Sequence, residues 1–222
     1  WHLPTAKRQA KKEFKLKHIS NSIFFDIDEN SNKKTSLPHM LSNISDWEKI
    51  VSSLGIKNSD HIVIYDSSEL LSSCRVWYNF LYFNHNPNLV SVLDGGLKKW
   101  EQEGKSTTSK IINFEKSNYQ AKENKDLVLN KSQIEANIKN KFFELVDARS
   151  KKRFLGEVPE ARPGLTSGNI KGSKNLPFSE LISATNNTFK SKSDLIRIFK
   201  KHDIETSKNL AFTCGSGITA CV

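Results

Sequence analysis

Short apolar runs alternate with amphipathic stretches along most of this chain of 222 residues. Residues 61–66 form an apolar run that predicts a buried strand, and residues 89–93 predict a second one. Residues 45–54, 70–83 and 97–102 carry the apolar spacing of helices, and we expect Ser45 to be the N-cap of the first of them. Strands that alternate with helices are typical of parallel sheets flanked by helices, so we expect an α/β fold.

A second series of elements follows in the same order. Residues 130–138 and 193–201 predict helices, and residues 142–146 and 209–212 predict strands. The run before Asp66 corresponds to the run before Cys214, which indicates an internal duplication. Only the second half carries a cysteine at this position, so we expect only that half to be chemically competent.

The domain boundaries follow from a polar region without clear periodicity in the middle of the chain. We predict a first domain over residues 1–112, a linker over residues 113–128 and a second, catalytic domain over residues 129–222. Comparison of the two halves suggests truncation at both ends: we expect the first domain to lack its first strand and the second its C-terminal part.

Residues 213–220 read Thr-Cys-Gly-Ser-Gly-Ile-Thr-Ala and predict a tight loop between a strand and a helix start. Such a loop directs several backbone N–H groups inward and ends on a positive helix dipole. A thiol at Cys214 is then expected to have a lowered pKa and to be partly thiolate. The alternative is a buried structural cysteine, since free cysteine behaves as a small apolar residue.

Two other classes of cysteine enzyme fail on the residues after Cys214. A phosphatase loop of the form C-x5-R requires arginine at position 220, where this chain has Ala220. A papain-like site requires a cysteine where Gly217 stands and a histidine well downstream.

Composition restricts the partners further. The net charge of +10 comes mostly from lysine, without the interleaved aromatic residues or motif of a nucleic-acid-binding protein, so we expect no nucleic-acid partner. No apolar run approaches about 18 residues, so no membrane partner is expected. Three cysteines without paired zinc-ligand spacing favour a reducing compartment and no metal. We therefore expect a cytoplasmic protein, or a mitochondrial one in a eukaryote.

Four motifs in order give the chain a family resemblance. They are Cys-Gly-Ser-Gly-Ile-Thr at 214–219, Arg-Phe-Leu-Gly-Glu-Val-Pro-Glu-Ala-Arg-Pro-Gly at 153–164, Phe-Phe-Asp-Ile-Asp at 24–28 with His39 and Met40, and Leu-Asp-Gly-Gly-Leu at 93–97 with Trp100. On these motifs the chain resembles the two-domain rhodanese-like sulfurtransferases. It departs from the family pattern at Ala161, Asn169 and Lys171, which occupy loop-shaping positions.

The resemblance implies two tandem rhodanese-like domains with central parallel sheets, and a persulfide on the catalytic cysteine with no cofactor. It implies that two arginines hold an α-keto carboxylate and that a first-half Asp–His pair joins a serine in a relay. The catalytic candidates are Cys214, Ser216, His39 and Asp28, and the substrate-binding candidates are Arg153, Arg162, Gly215, Gly217, Ile218 and Thr219.

The donor expected from the loop is 3-mercaptopyruvate. Thiosulfate-preferring relatives resemble C-R-K-G, whereas Gly215 and Ser216 here are neutral. The expected acceptors are a thiol, such as thioredoxin or a small dithiol, and cyanide. Two alternatives remain: a thiosulfate sulfurtransferase and a non-catalytic rhodanese-like binding module.

Overall fold

The computed structural model describes residues 1–3, 6–160, 162 and 164–222. The α-helices are α1 (Ala10–Leu16), α2 (Ile44–Ser53), α3 (Ser72–Tyr82), α4 (Gly96–Gln102), α5 (Lys131–Asn140), α6 (Lys151–Phe154) and α7 (Lys192–Lys201). The helix start predicted after the cysteine loop is a short 3-10 helix, Thr219–Cys221. The strands are β1 (Ile62–Ile64), β2 (Val90–Val92), β3 (Glu144–Asp147), β4 (Lys174–Asn175) and β5 (Leu210–Thr213).

All strand pairs within the two sheets are parallel, and the predicted α/β class is confirmed. β1 pairs with β2, while the second sheet has the order β4-β3-β5. In that sheet Val146 is aligned with Phe212 and Asp147 with Thr213. Because parallel strands end at the same edge, this register places Asp147 beside the start of the Cys214 loop.

The first half has an aromatic core built on Trp47. This side chain is fully buried, stacks on Phe83 with ring centroids 4.7 Å apart and meets Phe80 edge-on at 5.1 Å. The prediction of a buried strand at residues 61–66 was wrong in part, because Val63 is 56% exposed. β1 therefore buries only part of its surface. A smaller core in the second half contains Val146, Leu176, Leu181 and Ile204.

The N-terminus of α2 differs from the expectation at one residue. The side chain of Asn43, not that of Ser45, accepts a hydrogen bond from the N–H of Asp46. Asparagine and serine are about equally good N-caps, so the sequence alone did not separate the two. Gly55 follows the helix with φ +75°, a conformation that favours glycine.

Residues 113–128, predicted to be a linker, run packed along the first half. Ser117 donates its N–H to the carbonyl of Ser52 at 3.0 Å, and Asn124 donates to the carbonyl of Tyr82 at 2.7 Å. Tyr119 is 1% exposed and belongs to the aromatic core. The segment therefore contributes to the core of the first half, although its periodicity is poor.

The turn after β2 and the helix that follows it contact the second half. Asp94 accepts a hydrogen bond from the N–H of Phe189 at 2.8 Å. From α4, Lys98 donates to the carbonyl of Ala184 and Gln102 to that of Thr185. No helix of the described part of the chain is long and apolar enough to cross a membrane.

A cavity of about 1070 Å³ lies in the first half. Phe24, Phe25, Ile62 and Ile64 are among the residues that line it. The described residues of the Cys214 loop do not line this cavity. The cavity and the candidate site at the end of β5 are therefore separate features of the structure.

Candidate functional site

Cys214 is the first residue after β5, and its sulfur is surrounded by hydrogen-bond donors. The N–H of Gly217 lies 3.2 Å from Sγ. Burial raises the pKa of the Cys214 thiol, but the backbone N–H groups of Ser216, Gly217 and Ala220 and the hydroxyl of Thr219 together outweigh it. The net pKa is lowered, as the sequence predicted, because these donors stabilise the thiolate.

The other two cysteines have the opposite character. Burial raises the pKa of Cys74 to about 12 and that of Cys221 to about 11. Cys221 donates its thiol hydrogen to the carbonyl of Gly217 at 3.2 Å. Of the three thiols, Cys214 alone is suited to act as a nucleophile at neutral pH.

Ile218, in the middle of the loop, anchors the loop to the first half. Its side chain is 2% exposed and belongs to the aromatic core of the first half. A residue predicted to bind substrate thus has its side chain in the core, and it can contribute to binding only through its backbone. The loop of the second half is therefore inserted into the packing of the first half.

Arg153, at the end of α6, lies against the loop. A Cβ added at Gly215 would come within 2.8 Å of Arg153 Nη2. The guanidinium is held by Glu160, which accepts from Nε at 3.3 Å and also from Nη2. The pKa of Glu160 is lowered, mainly because Arg153 hydrogen-bonds its charged form, and this outweighs the opposite effect of burial.

A second arginine, Arg149, also binds Glu160. Arg149 donates to Glu160 Oε1 at 2.7 Å and to Asp147 Oδ2 at 2.6 Å. Asp147 is 1% exposed, so the chain of charges starts at the buried end of β3. The sequence motifs assigned no role to Asp147, Arg149 or Glu160. The signal available was the presence of acidic and basic residues together in the segment 147–160.

Arg162 is half-buried, and its charge contributes to lowering the pKa of His39. The second predicted substrate arginine is therefore close to the predicted first-half histidine. The departure at Ala161 lies outside the described residues, as does Pro163.

The first half supplies the expected carboxylate–imidazole pair. His39 Nε2 lies 2.9 Å from Asp28 Oδ1, and the indole N–H of Trp1 donates to Asp28 Oδ2 at 2.8 Å. Burial lowers the pKa of His39 and, together with the charges of Arg162 and Arg75, outweighs Asp28, which raises it. With the Nε2 hydrogen directed at Asp28, Nδ1 is the unprotonated nitrogen of a neutral ring. Nδ1 is buried and has no hydrogen-bond partner among the described residues.

Ser216 is half-buried in the loop. Within the described part of the structure its hydroxyl makes no hydrogen bond to His39. The structure thus brings together Asp28 with His39 and Arg153 with the Cys214 loop. The last step of the relay, from His39 to Ser216, stays a prediction.

The described residues also contain no cluster of three or more His, Cys, Asp or Glu side chains that could hold a metal ion.

Comparisons with known proteins agree with the family resemblance of the sequence motifs. Residues 8–103 match the model of the rhodanese-like domain. The chain is 38% identical over 223 residues to 3-mercaptopyruvate sulfurtransferase of Mus musculus, covering 100% of this chain and 74% of that protein. It is 38% identical over 225 residues to thiosulfate sulfurtransferase of Bos taurus, again covering 100% of this chain and 74% of the other.

Among solved structures, the chain is similar to the 3-mercaptopyruvate sulfotransferase SseA of Escherichia coli. The TM-score is 0.88 at 28% sequence identity, over 98% of this chain and 80% of that one.

Proposed function

Because this chain belongs to the rhodanese-like sulfurtransferases, we propose that Cys214 carries the transferred sulfur as a persulfide. The observation that carries this assignment is the set of donors around Cys214 Sγ, which lowers the pKa of this thiol while burial raises the pKa of the other two. A thiolate is the form that attacks sulfur. The same N–H groups would hold the negative charge of the persulfide anion.

3-Mercaptopyruvate is the donor that we propose. The Cys214 thiolate attacks the substrate sulfur, an S–S bond forms and the C–S bond breaks. The electron pair of the C–S bond goes to the pyruvate enolate, which takes up a proton and leaves as pyruvate. The hydrogen of the substrate thiol stays on the outer sulfur of the persulfide or passes to His39 Nδ1.

Substrate binding falls to Arg153 and Arg162. A guanidinium binds carboxylate and ketone oxygens with a fixed geometry. Arg153 is held beside Gly215 by Glu160, so one such group is positioned at the loop before the substrate arrives. Arg162 approaches from the side of His39.

Ser216, His39 and Asp28 are assigned to the enolate. Asp28 orients the imidazole, and His39 Nδ1 is free to take up the proton of the substrate thiol and to return it, by way of Ser216, to the enolate carbon. The Ser216 hydroxyl would donate to the enolate oxygen. The acceptor of the outer sulfur is a thiol, with cyanide as a laboratory substitute, and a cytoplasmic or mitochondrial location is consistent with a free thiolate.

Thiosulfate is the second candidate donor. It is favoured by one observation, the equal identity of 38% to a relative named for thiosulfate. Against it stands the neutral Gly215–Ser216 pair, since a dianion would be better bound by cations in the loop.

The test is mass spectrometry of the protein after incubation with each donor, with Cys214→Ser as the matched control. One added sulfur atom on the peptide containing Cys214, absent from the variant, is the expected result. Unmodified Cys214 after both donors would overturn the mechanism. Comparison of kcat/KM for the two donors then decides between them. A clear preference for thiosulfate would make thiosulfate the donor in place of 3-mercaptopyruvate.

A further inference from the structure

Arg75, on α3 of the first half, reaches into the candidate site. It is 7% exposed. Its Nη1 donates to the carbonyl of Gly217 at 3.0 Å, and its Nη2 donates to the carbonyl of His39 at 2.6 Å. One guanidinium therefore joins the cysteine loop of the second half to the histidine segment of the first.

The charge of Arg75 is unusual for a buried group. Within the described ranges it makes no ion pair with a carboxylate, and its two hydrogen bonds go to carbonyl oxygens. Burial of an unpaired cation is unfavourable unless its donors are satisfied. A flat guanidinium is suited to this position because it can direct two N–H groups at two carbonyls from one rigid fork.

The bond to Gly217 acts on the residue that shapes the thiol site. Gly217 has φ +74°, its N–H donates to Cys214 Sγ, and its carbonyl accepts from both Arg75 and Cys221. A Cβ at this position would lie 2.8 Å from Arg75 Nη1, so the guanidinium is packed directly on the loop. Holding the carbonyl side of this residue restricts the direction of its N–H side.

The bond to His39 acts on the other proposed catalytic element. His39 has φ +57°, a left-handed conformation that few non-glycine residues adopt. Its carbonyl is fixed by Arg75, while its ring is held by Asp28. The backbone and the side chain of His39 are thus held by separate partners.

We propose that Arg75 is a positioning residue for sulfur transfer, which assembles the site by fixing the Gly217 and His39 carbonyls at the same time. The inference rests on the proposed role of Cys214 and His39. The first half, which has no catalytic cysteine, is then necessary for the geometry around Cys214 in the second half. The side chain acts through the loop and does not contact the reacting sulfur.

The test compares Arg75→Met and Arg75→Lys with the unaltered chain. Arg75→Met keeps most of the volume and removes both donors and the charge. We expect kcat with 3-mercaptopyruvate to fall about 100-fold, as for a misplacement of about 1 Å. The midpoint of Cys214 alkylation against pH should rise, because the N–H groups around Sγ are less well aimed. Arg75→Lys, with its charge retained, should recover part of both losses.

The matched control is Gln102→Ala, which removes another hydrogen bond between the two halves, to Thr185, away from the loop. It should leave the alkylation profile unchanged. Melting curves of all variants separate general destabilisation from positioning. Should Arg75→Met not fold, the alkylation profile of Arg75→Lys carries the test.

The outcomes separate the two proposals. Folded Arg75 variants with an unchanged alkylation profile and unchanged kcat, in a chain whose Cys214 does take up sulfur, would overturn the role of Arg75 alone. Failure of the unaltered chain to take up sulfur on Cys214 would overturn the proposed function itself.

Discussion

The backbone N–H of Gly217 points at the Sγ of Cys214 across 3.2 Å. This contact depends on the left-handed backbone at Gly217, where φ is +74°. The two residues are three positions apart, so the chain turns back on its own sulfur within a single loop. The lowered pKa of Cys214 consequently comes from the N–H and hydroxyl donors of its own loop.

Gly217→Ala is expected to weaken this geometry. A left-handed conformation costs a non-glycine residue about 1–2 kcal/mol, and the added Cβ would meet Arg75 Nη1 at 2.8 Å. The loop should shift, the pKa of Cys214 should rise, and kcat/KM should fall by about 10- to 100-fold. The rate of iodoacetamide alkylation against pH measures the first effect, and steady-state kinetics the second.

Gly104→Ala is the matched control for this variant. Gly104 has φ +69°, but nothing lies within 4 Å of its Cβ position. The substitution imposes a similar backbone strain outside the Cys214 loop. Equal losses of activity in the two variants would show that strain alone, and not the aim of the Gly217 N–H, explains the result.

The three thiols should differ sharply in their reaction with iodoacetamide. At pH 7 we expect one modification per chain, on Cys214, because its pKa is lowered while burial holds Cys221 at about 11 and Cys74 at about 12. Peptide mass spectrometry identifies the site. The variant Cys214→Ser should remain unmodified, and rapid labelling of Cys221 in the folded protein would contradict the assignment.

Much of the fold could be predicted because each element has its own local signal. The strand before Cys214 was expected at residues 209–212 and is β5, Leu210–Thr213. Local signals failed where two residues had similar propensities, as with Asn43 and Ser45 at the start of α2. They also failed for Tyr119, whose burial depends on packing against residues distant in the sequence, such as Phe80 and His85.

The candidate site, too, could be predicted from the sequence only in part. Cys214, Arg153 and the Asp28–His39 pair carry sequence motifs and could be named in advance. Arg75 and Glu160 act through contacts with segments 142 and 7 residues away, and only folding brings these partners together. Ile218 illustrates the reverse case, since its place in a binding motif gave no sign that its side chain belongs to the core of the other half.

Glu160→Gln should loosen Arg153. The amide keeps the size of the side chain but removes the charge that both Arg149 and Arg153 bind. Charge-assisted hydrogen bonds are about twice as strong as neutral ones, so the guanidinium beside Gly215 should become less ordered. We expect KM for 3-mercaptopyruvate to rise by about 10-fold, with a smaller change in the alkylation profile of Cys214.

Glu157→Gln tests whether this effect is local. Glu157 lies in the same loop and is exposed, so its substitution should leave KM unchanged. The kinetics are compared at one ionic strength, because loss of any negative charge slightly favours an anionic substrate. A normal KM in Glu160→Gln would show that Arg153 is positioned without this carboxylate.

The relay of Ser216, His39 and Asp28 predicts a difference between donors. Breaking the C–S bond of 3-mercaptopyruvate leaves an enolate that must be stabilised and protonated, whereas thiosulfate releases sulfite, which leaves as a stable anion. His39→Gln and Ser216→Ala should therefore lower kcat with 3-mercaptopyruvate by about 100-fold, the usual contribution of a general acid or base. Turnover of thiosulfate should change little. Steady-state rates with both donors, at a saturating concentration of one thiol acceptor, measure the split. Equal losses with the two donors would place these residues in the shaping of the loop and remove them from proton transfer.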